Sequence, residues 1–395
     1  MQMKVKLGDI AVLINGDRGK NYPSQDEISS NGDILFVNAG HLNGGKICYN
    51  DMNYISNEKY HSLNSGKFIP GDILYCLRGS LGKKALVSEP SFGAVASSLV
   101  IIRPNNAVVN GEYLMFALDS PSIQEQLSKA NNGSSQPNLS AASVREYRID
   151  LPNLIEQKHI TKLLLQAQSI IDIYRLQLQD LDVLIKARFV EMFGTVHDDR
   201  FPKCKLRELA HIKHGFAFSG EFFSEIDNGI VLVTPGNFAI GGGFQETKNR
   251  YFTSEYPQEY VLHAGDLIVT MTDLSKKADT LGYGAIVPST GKIYLHNQRI
   301  GLFDKLDQKL DPIFMRWFMQ TSEYREEIVR TSTGSTVHHT SPDRILDSII
   351  FIPPIGEQIK FRQFAEQIDK SKVAVQAALE KAQLLFDSLM QQYFG

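Results

Sequence analysis

The chain contains two copies of one long segment. Residues 151–194 read LPNLIEQKHITKLLLQAQSIIDIYRLQLQDLDVLIKARFVEMFG, and residues 352–395 read IPPIGEQIKFRQFAEQIDKSKVAVQAALEKAQLLFDSLMQQYFG. Phe193 matches Phe394 at a shift of 201 positions (394 − 193). This duplication predicts two similar halves, each of which ends with one copy of the segment.

The match extends upstream of each long segment in short pieces bounded by glycine. The shift falls to 194 positions where Gly71-Asp72 matches Gly265-Asp266 (265 − 71), so the loops between matched pieces differ in length. We expect the matched pieces to form the scaffold and the variable loops to carry function. The predicted boundaries are a first domain at 1–150, a long helix at 151–194, a second domain at 195–351 and a second long helix at 352–395.

Each globular half has the sequence pattern of an α+β domain. Short β-branched runs such as ILFVNAG, DILYCLRG and SSLVIIRP are bounded by Gly, Pro and Asn, which is typical of strands. A shorter helical stretch precedes the long segment in each half, around Gly111–Ala130 and Pro312–Arg330. We therefore predict two similar domains with curved or barrel-like antiparallel sheets.

The two long segments have the periodicity of coiled-coil helices. Their apolar residues are spaced alternately by four and three, which forms the a/d seam of a heptad pattern, and only Lys372 interrupts it. About 38 residues of helix span roughly 57 Å. We predict that the helices pair as an antiparallel coiled coil with a pseudo-twofold relation between the domains. The alternative is that each helix is an ordinary amphipathic helix docked on its own domain.

Composition excludes some classes of protein. The sequence has no apolar stretch of about 18 residues, which a membrane-spanning helix needs, and no signal peptide is recognisable at its start. The three cysteines form no CxxC pair, so we predict reduced thiols and a cytoplasmic location. The net charge of −3 is mildly unfavourable for nucleic-acid binding, but a local basic face is compatible with it.

Motifs for catalysis, cofactors and metals are lacking. The nearest run to an Asn/Asp-Pro-Pro-aromatic methylation motif is Asp311-Pro312-Ile313-Phe314, which lacks the second proline. No phosphate-binding glycine loop with the Walker A spacing occurs. His338-His339 have no third ligand at a suitable spacing. We predict a chain without its own catalytic site, cofactor or metal.

Paired signatures connect the chain with a known family. Each long helix is opened by a Pro-x-x-x-Glu-Gln pattern, within Pro152–Gln157 and again within Pro353–Gln358. A Gly-Ser-Ser-Gln-Pro-Asn-Leu run at Gly133–Leu139 precedes the first, while the second copy keeps only Gly334-Ser335 of it. Over its whole length, the chain resembles the specificity subunit of a type I restriction-modification enzyme.

This resemblance implies a function and a set of partners. Members of the family bind double-stranded DNA at a bipartite site with one half per domain, and they recruit two methyltransferase subunits. S-adenosylmethionine is then expected on the methyltransferase partner, and restriction subunits can join the complex. The alternatives are a scaffold that binds proteins and not DNA, and a catalytic protein with an unrecognised site. An adjacent adenine methyltransferase gene would favour the specificity subunit.

Candidate DNA-binding residues of the first domain lie in three loops. Arg, Lys, Asn and Gln read base edges in the major groove, while Lys, Arg, Ser and Thr also hold phosphates. The alternatives for these loops are a mobile surface loop, a solvated hairpin and a turn between helices, in that order. The candidates are Asn15, Arg18 and Lys20; Arg78, Ser80, Lys83 and Lys84; and Ser134, Ser135 and Gln136.

The second domain has its own candidates at or near the matched positions. The loop at 272–277 replaces the Arg78 loop and is longer, and the run at 297–299 lies beside a predicted strand, where hydrogen bonding within the core is the alternative. The candidates are Lys213, His214, Thr272, Ser275, Lys276, Lys277, Asn297, Gln298, Arg299, His338 and His339.

Overall fold

The computed structural model divides into two compact units. The first comprises Met1–Arg175 with Ala377–Gly395, and the second comprises Leu176–Gln376. Each unit combines helices with sheets, which confirms the predicted fold class of two α+β domains. The structure describes residues 3–88, 91–130 and 137–395.

The first unit is built mainly from short strands, with short helices before the long one. Its strands are β1 Met3–Lys6, β2 Ala11–Asn15, β3 Ile34–Val37, β4 Leu42–Asn43, β5 Lys46–Ile47, β6 Tyr54–Ile55, β7 Lys67–Phe68, β8 Ile73–Cys76, β9 Lys84–Leu86, β10 Gly93–Val95, β11 Leu99–Pro104 and β12 Arg148–Leu151. Its helices are α1 Leu7–Ile10, α2 Asn57–Ser62, α3 Gly111–Ala117, α4 Pro121–Ala130, α5 Ala141–Arg145 and the first part of α6 Leu154–Phe193.

The second unit has a similar order of elements. Its strands are β13 Lys203–Lys205, β14 Ala210–His214, β15 Phe223–Ser224, β16 Ile230–Val233, β17 Arg250–Phe252, β18 Val261–Leu262, β19 Leu267–Thr270, β20 Thr272–Asp273, β21 Gly284–Ile286, β22 Ile293–His296, β23 Ile300–Leu306, β24 His338–His339 and β25 Ile349–Phe351. Its helices are α7 Pro312–Phe318, α8 Ser322–Thr331, α9 Pro342–Leu346 and the first part of α10 Ile355–Phe394.

Within the described residues, each unit has one four-stranded antiparallel sheet, one mixed sheet and two two-stranded antiparallel sheets. The four-stranded antiparallel sheets have the strand orders β2-β11-β8-β9 and β14-β23-β19-β21. In the mixed sheets, β3 pairs with β10 and β16 pairs with β22 in parallel, so these sheets depart from the purely antiparallel arrangement expected from the sequence. A parallel pair needs a long crossover connection, and a long segment lies between the two strands in each case.

A buried glutamine fixes the start of each long helix. The Gln157 carboxamide accepts a hydrogen bond from the Asn110 N–H at 2.8 Å. It donates to the carbonyls of Val108 at 3.0 Å and Pro152 at 2.8 Å. All its bonds run to backbone just before α3 or just before α6, so it joins the two helix starts. The glutamine of the Pro-x-x-x-Glu-Gln signature is therefore structural.

Gln358 makes the same three bonds in the second unit. Its carboxamide accepts from the Asp311 N–H and donates to the carbonyls of Lys309 and Pro353, each at 2.8 Å. Both glutamine side chains are completely buried. The duplication seen in the sequence is thus repeated at the level of single hydrogen bonds.

The long helices contribute to the cores of both units. In the first unit, Phe394 at the end of α10 packs against Tyr113 of α3 with ring centroids 5.2 Å apart, in one cluster with Ile160 of α6. In the second unit, Phe189 of α6 stacks on Phe314 of α7 at 5.5 Å. Packing of apolar side chains on the globular parts anchors these helix segments.

Both long segments are continuous helices, as predicted. Lys372, the polar residue of the second seam, forms ion pairs in the second unit with Asp182 of α6 at 2.6 Å and with Asp369 at 3.2 Å. Antiparallel coiled-coil pairing of the complete seams stays a prediction. Among the described residues, no helix is both long and apolar enough to cross a membrane.

Candidate nucleic-acid interface

In the first unit, several loops emerge at one edge of the antiparallel sheet. Strands β2 and β8 flank β11 and both run antiparallel to it, so they end at Asn15 and Cys76, on either side of Leu99, where β11 begins. We call this region the first loop edge. It comprises residues 15–20, 77–84, 97–98 and 137–139.

Backbone hydrogen bonds hold the parts of the first loop edge together. The Leu77 N–H donates to the Ser98 carbonyl at 2.8 Å, and the Leu77 carbonyl accepts from the Leu139 N–H at 2.8 Å. The Gly79 N–H donates to the Pro137 carbonyl at 3.2 Å. The turn that carries Arg78 is therefore fixed between the start of β11 and the segment before α5.

Most of the first-domain candidates that the structure describes are exposed at this edge. Asn15, Arg18, Lys20, Arg78 and Ser80 are exposed. Among the residues that the structure describes, no ion pair involves the three cations of this group. Their charges are thus available to a ligand such as phosphate, which binding proteins neutralise with Lys and Arg.

Two lysines of the same region have partners within the protein. Lys83 Nζ donates to the Ala39 carbonyl at 3.1 Å. Lys84 is buried, and its ammonium pairs with Asp119. Because Lys84 is buried and paired, its charge stabilises the fold and is not available to bind DNA. The candidates Ser134, Ser135 and Gln136 lie outside the described residues.

The second unit has an equivalent edge. Strands β14 and β19 flank β23 and end at His214 and Thr270, on either side of the start of β23 at Ile300. We call this region the second loop edge. It comprises residues 213–216, 271–280, 297–299 and 338–340.

The hydrogen bonds of the second loop edge reproduce those of the first. The Met271 N–H donates to the Arg299 carbonyl at 2.9 Å, and the Met271 carbonyl accepts from the Thr340 N–H at 2.9 Å. Met271 thus has the bonds of Leu77, and Thr340 has the place of Leu139. Arg78 and Thr272 then occupy matched positions on equivalent backbone, although their side chains differ.

The second-domain candidates divide by exposure. The following are exposed: His214, Lys276, Lys277, Gln298, Arg299 and His339. Ser275 and His338 are half-buried, and Thr272 is buried with its hydroxyl 3.2 Å from His339 Nδ1. The edge therefore combines three exposed cations with polar groups able to read base edges.

Two candidates of the second domain are used largely inside the protein. Lys213 Nζ donates to the Glu259 carbonyl at 2.8 Å and lies 4.5 Å from the centre of the Tyr260 ring. Asn297 is buried, and its side-chain oxygen accepts from the Arg299 N–H at 3.0 Å. Asn297 therefore shapes the turn that presents Gln298 and Arg299.

Asp273 organises the longer loop of the second loop edge. Its carboxylate accepts from the Ser275 N–H at 2.6 Å and from the Thr280 hydroxyl at 2.7 Å. Burial raises the pKa of Asp273, but hydrogen bonds from Ser275 and Thr280 outweigh burial, so the pKa lies below its ordinary value. The ionised carboxylate closes the base of the loop that exposes Lys276 and Lys277.

A matched glycine brings two loops of each edge into close contact. A Cβ atom on Gly16 would lie 2.6 Å from the Ala96 carbonyl oxygen, and one on Gly215 would lie 2.1 Å from the Asn297 carbonyl oxygen. Such distances exclude any side chain without movement of the backbone. Both units therefore need glycine at this position, because another backbone segment passes too close to leave room for a side chain.

Sequence reasoning missed an aromatic residue at the second loop edge. Phe216 follows Gly215 directly and is 39% exposed. Its position after a matched glycine was visible in the sequence. Its exposure was not, because an isolated phenylalanine in a strand-rich domain is more often buried.

Comparison with known proteins agrees with this architecture. Residues 2–181 match the family model described as type I restriction modification DNA specificity domain. The type I restriction enzyme MjaVIII specificity subunit of Methanocaldococcus jannaschii is 24% identical over 323 residues, which cover 75% of this chain and 72% of that protein. The EcoBI specificity subunit of Escherichia coli is 23% identical over 44% of this chain and 33% of its own.

Solved structures share the fold along the chain. A chain from a structure on complex assembly and conformational transition of the type I R-M system has a TM-score of 0.59 at 16% identity, with 99% of this chain and 97% of that chain covered. The S subunit of M. genitalium has a TM-score of 0.56 at 14% identity, with 100% and 96% covered.

The chain thus has two similar α+β units, each with a loop edge and a long helix, and it shares this fold with solved structures from type I restriction-modification systems. The resemblance found in the sequence is confirmed: residues 2–181 match the specificity-domain family model, and the chain is similar to specificity subunits of type I restriction enzymes.

Proposed function

We propose that this chain is the DNA-reading subunit of a type I restriction-modification enzyme. The first loop edge binds one half of a bipartite duplex site and the second loop edge binds the other half. The observation that carries this proposal is the duplicated edge, where equivalent backbone hydrogen bonds present different exposed side chains. Two loop edges with equivalent backbone and different side chains are suited to recognise two different half-sites.

The long helices are the proposed docking elements for two methyltransferase subunits. Each helix starts at an equivalent buried glutamine, so two similar partner surfaces are expected. Both helices also expose large apolar side chains, including Ile155 and Ile173 on α6 and Val373 and Leu384 on α10. Exposed apolar groups in number are typical of protein interaction surfaces.

The catalytic work is assigned to these partners. The methyltransferase subunits would bind S-adenosylmethionine, and restriction subunits could join them, while this chain contributes recognition and assembly. The proposal therefore treats the chain itself as non-catalytic.

Methylome sequencing tests the function directly. A host is compared with and without this gene, with the cognate methyltransferase present in both. We expect a bipartite methylated motif that disappears with the gene, and salt-dependent binding of the complex to duplexes that carry the motif. An unchanged methylome together with salt-independent or absent DNA binding would instead favour the protein-binding scaffold.

The Arg78→Ala substitution tests the first loop edge. We expect the methyltransferase complex to bind duplexes with the intact first half-site roughly ten-fold more weakly, since one arginine contact to a base contributes about 1–3 kcal/mol. Discrimination at the second half-site should not change. Binding to a panel of single-base variants of both half-sites measures these effects.

An arginine outside the edge provides the matched control. Arg148 is exposed on β12 of the same unit, and Arg148→Ala removes the same charge away from the loop edge. It should leave affinity within about two-fold, because a distant surface charge is screened beyond the Debye length. Equal effects of the two substitutions would show that Arg78 contributes only to the overall charge.

A further inference from the structure

Phe216 is a partly exposed apolar side chain at the second loop edge. It lies between His214 and the turn with Gln298, and its ring contacts Phe218 at 5.1 Å and Tyr260 at 5.3 Å between centroids. Despite these contacts, the residue is 39% exposed. Exposing part of an aromatic ring forgoes burial that would stabilise the fold, so the position invites a role in binding.

The scaffold holds the Phe216 backbone firmly. Its N–H donates to the His296 carbonyl and its carbonyl accepts from the Gln298 N–H, both at 2.9 Å. A backbone fixed on both sides limits the positions that the ring can take. A preordered ring loses little conformational entropy on binding.

The matched position in the first unit has different chemistry. Asp17 follows Gly16 as Phe216 follows Gly215, but Asp17 is buried and accepts hydrogen bonds from the N–H groups of Arg18 at 2.7 Å and Asn64 at 2.6 Å. The exposed group there is the Arg18 side chain. Just after the matched glycine, one loop edge therefore exposes a cation and the other exposes an apolar ring.

Major-groove chemistry pairs these two kinds of side chain with different bases. Arginine suits guanine, whose groove edge offers only acceptors, whereas the apolar group on a base edge is the 5-methyl of thymine. We infer that Phe216 is a specificity-determining residue that contacts the methyl group of a thymine in the half-site read by the second unit. This inference rests on the proposed function.

Deoxyuridine substitution tests the contact, because it removes the methyl and leaves the pairing edge unchanged. The probes are duplexes with the methylated motif of this system, in which each thymine of the second half-site is replaced singly by deoxyuridine. We expect one replacement to weaken binding of the methyltransferase complex by about four-fold, as expected for one buried methyl group. Replacements in the first half-site should not depend on Phe216.

The Phe216→Ala variant completes a double-mutant cycle. It should weaken binding to the thymine duplex by roughly ten-fold, and the critical deoxyuridine should then cause no further loss. Phe222→Ala is the matched control, because Phe222 is similarly exposed at 38% but lies beside β15 of the other sheet. It should bind both duplexes like the wild type. Thermal unfolding checks that each variant is folded.

The outcomes separate the inference from the function beneath it. Additive losses from Phe216→Ala and deoxyuridine would overturn the methyl contact and indicate stacking or backbone packing. If the wild type binds every deoxyuridine duplex as tightly as the thymine duplex, the methyl contact is also overturned. The proposed function would still stand in that case, provided that the complex binds the motif. If no methylated motif depends on this gene, the proposed function itself is contradicted.

Discussion

Gln157→Leu is expected to lower the free energy of unfolding of the first unit by roughly 4 kcal/mol, since each buried group left unpaired costs about 1–3 kcal/mol. Leucine occupies a similar volume but leaves the Asn110 N–H and the carbonyls of Val108 and Pro152 without their partner. Denaturant unfolding followed by amide hydrogen exchange measures the effect separately for each unit. Amides of α3 and the start of α6 should lose protection first.

The neighbouring signature residue provides the control. Glu156 is exposed, so Glu156→Gln should change stability by less than about 0.5 kcal/mol. Gln358→Leu should reproduce the full loss in the second unit, because Gln358 makes the same three bonds. Wild-type protection in Gln157→Leu would show that these bonds do not secure the helix start.

Acid is expected to destabilise the second unit through His296. Burial lowers the pKa of His296 from 6.5 to about 4, against an opposing hydrogen bond to the Ile300 carbonyl. Between these values the unfolded chain binds a proton that the folded chain does not, so stability falls as the pH falls through this window. A shift of this size contributes about 3 kcal/mol between about pH 7 and about pH 4.

A glutamine at this position separates His296 from other acid-sensitive groups. His296→Gln keeps an N–H donor for the Ile300 carbonyl but does not titrate in this range. Urea unfolding at a series of pH values should show a shallower loss of stability for the variant than for the wild type. Parallel curves for the two proteins would mean that His296 keeps an ordinary pKa in the folded state.

The scaffold could be predicted from the sequence because its signals are local and repeated. The heptad seams predicted two long helices, and both are continuous in the structure. The β-branched runs around Ile73 and Leu99 predicted strands, and both form strands of one antiparallel sheet. The parallel pairing of β3 with β10 was not predicted, since neither strand encodes its partner's direction. That direction depends on the path of the long connection between them.

The sequence predicted the positions of the candidate loops better than it predicted which of their side chains are exposed. Matched scaffold around variable loops located both loop edges, and Arg78 is exposed there. Lys84 looked equivalent in the sequence but points inward to Asp119, a partner 35 positions away. Tertiary contacts of this kind decide which charged side chain is exposed to a ligand. They cannot be recognised from the basic run at 83–84 alone, because the partner is distant in sequence.

The place of the last helix segment has a consequence for protein synthesis. Met390 and Phe394 belong to the core of the first unit together with Tyr113 and Leu164. During translation, the first unit emerges from the ribosome more than two hundred residues before these two side chains do. The apolar surface of the first unit that these two side chains cover therefore stays exposed until residues 390–394 have been made. A frameshift just before codon 390 would remove these core residues and so destabilise the half of the protein that was made first.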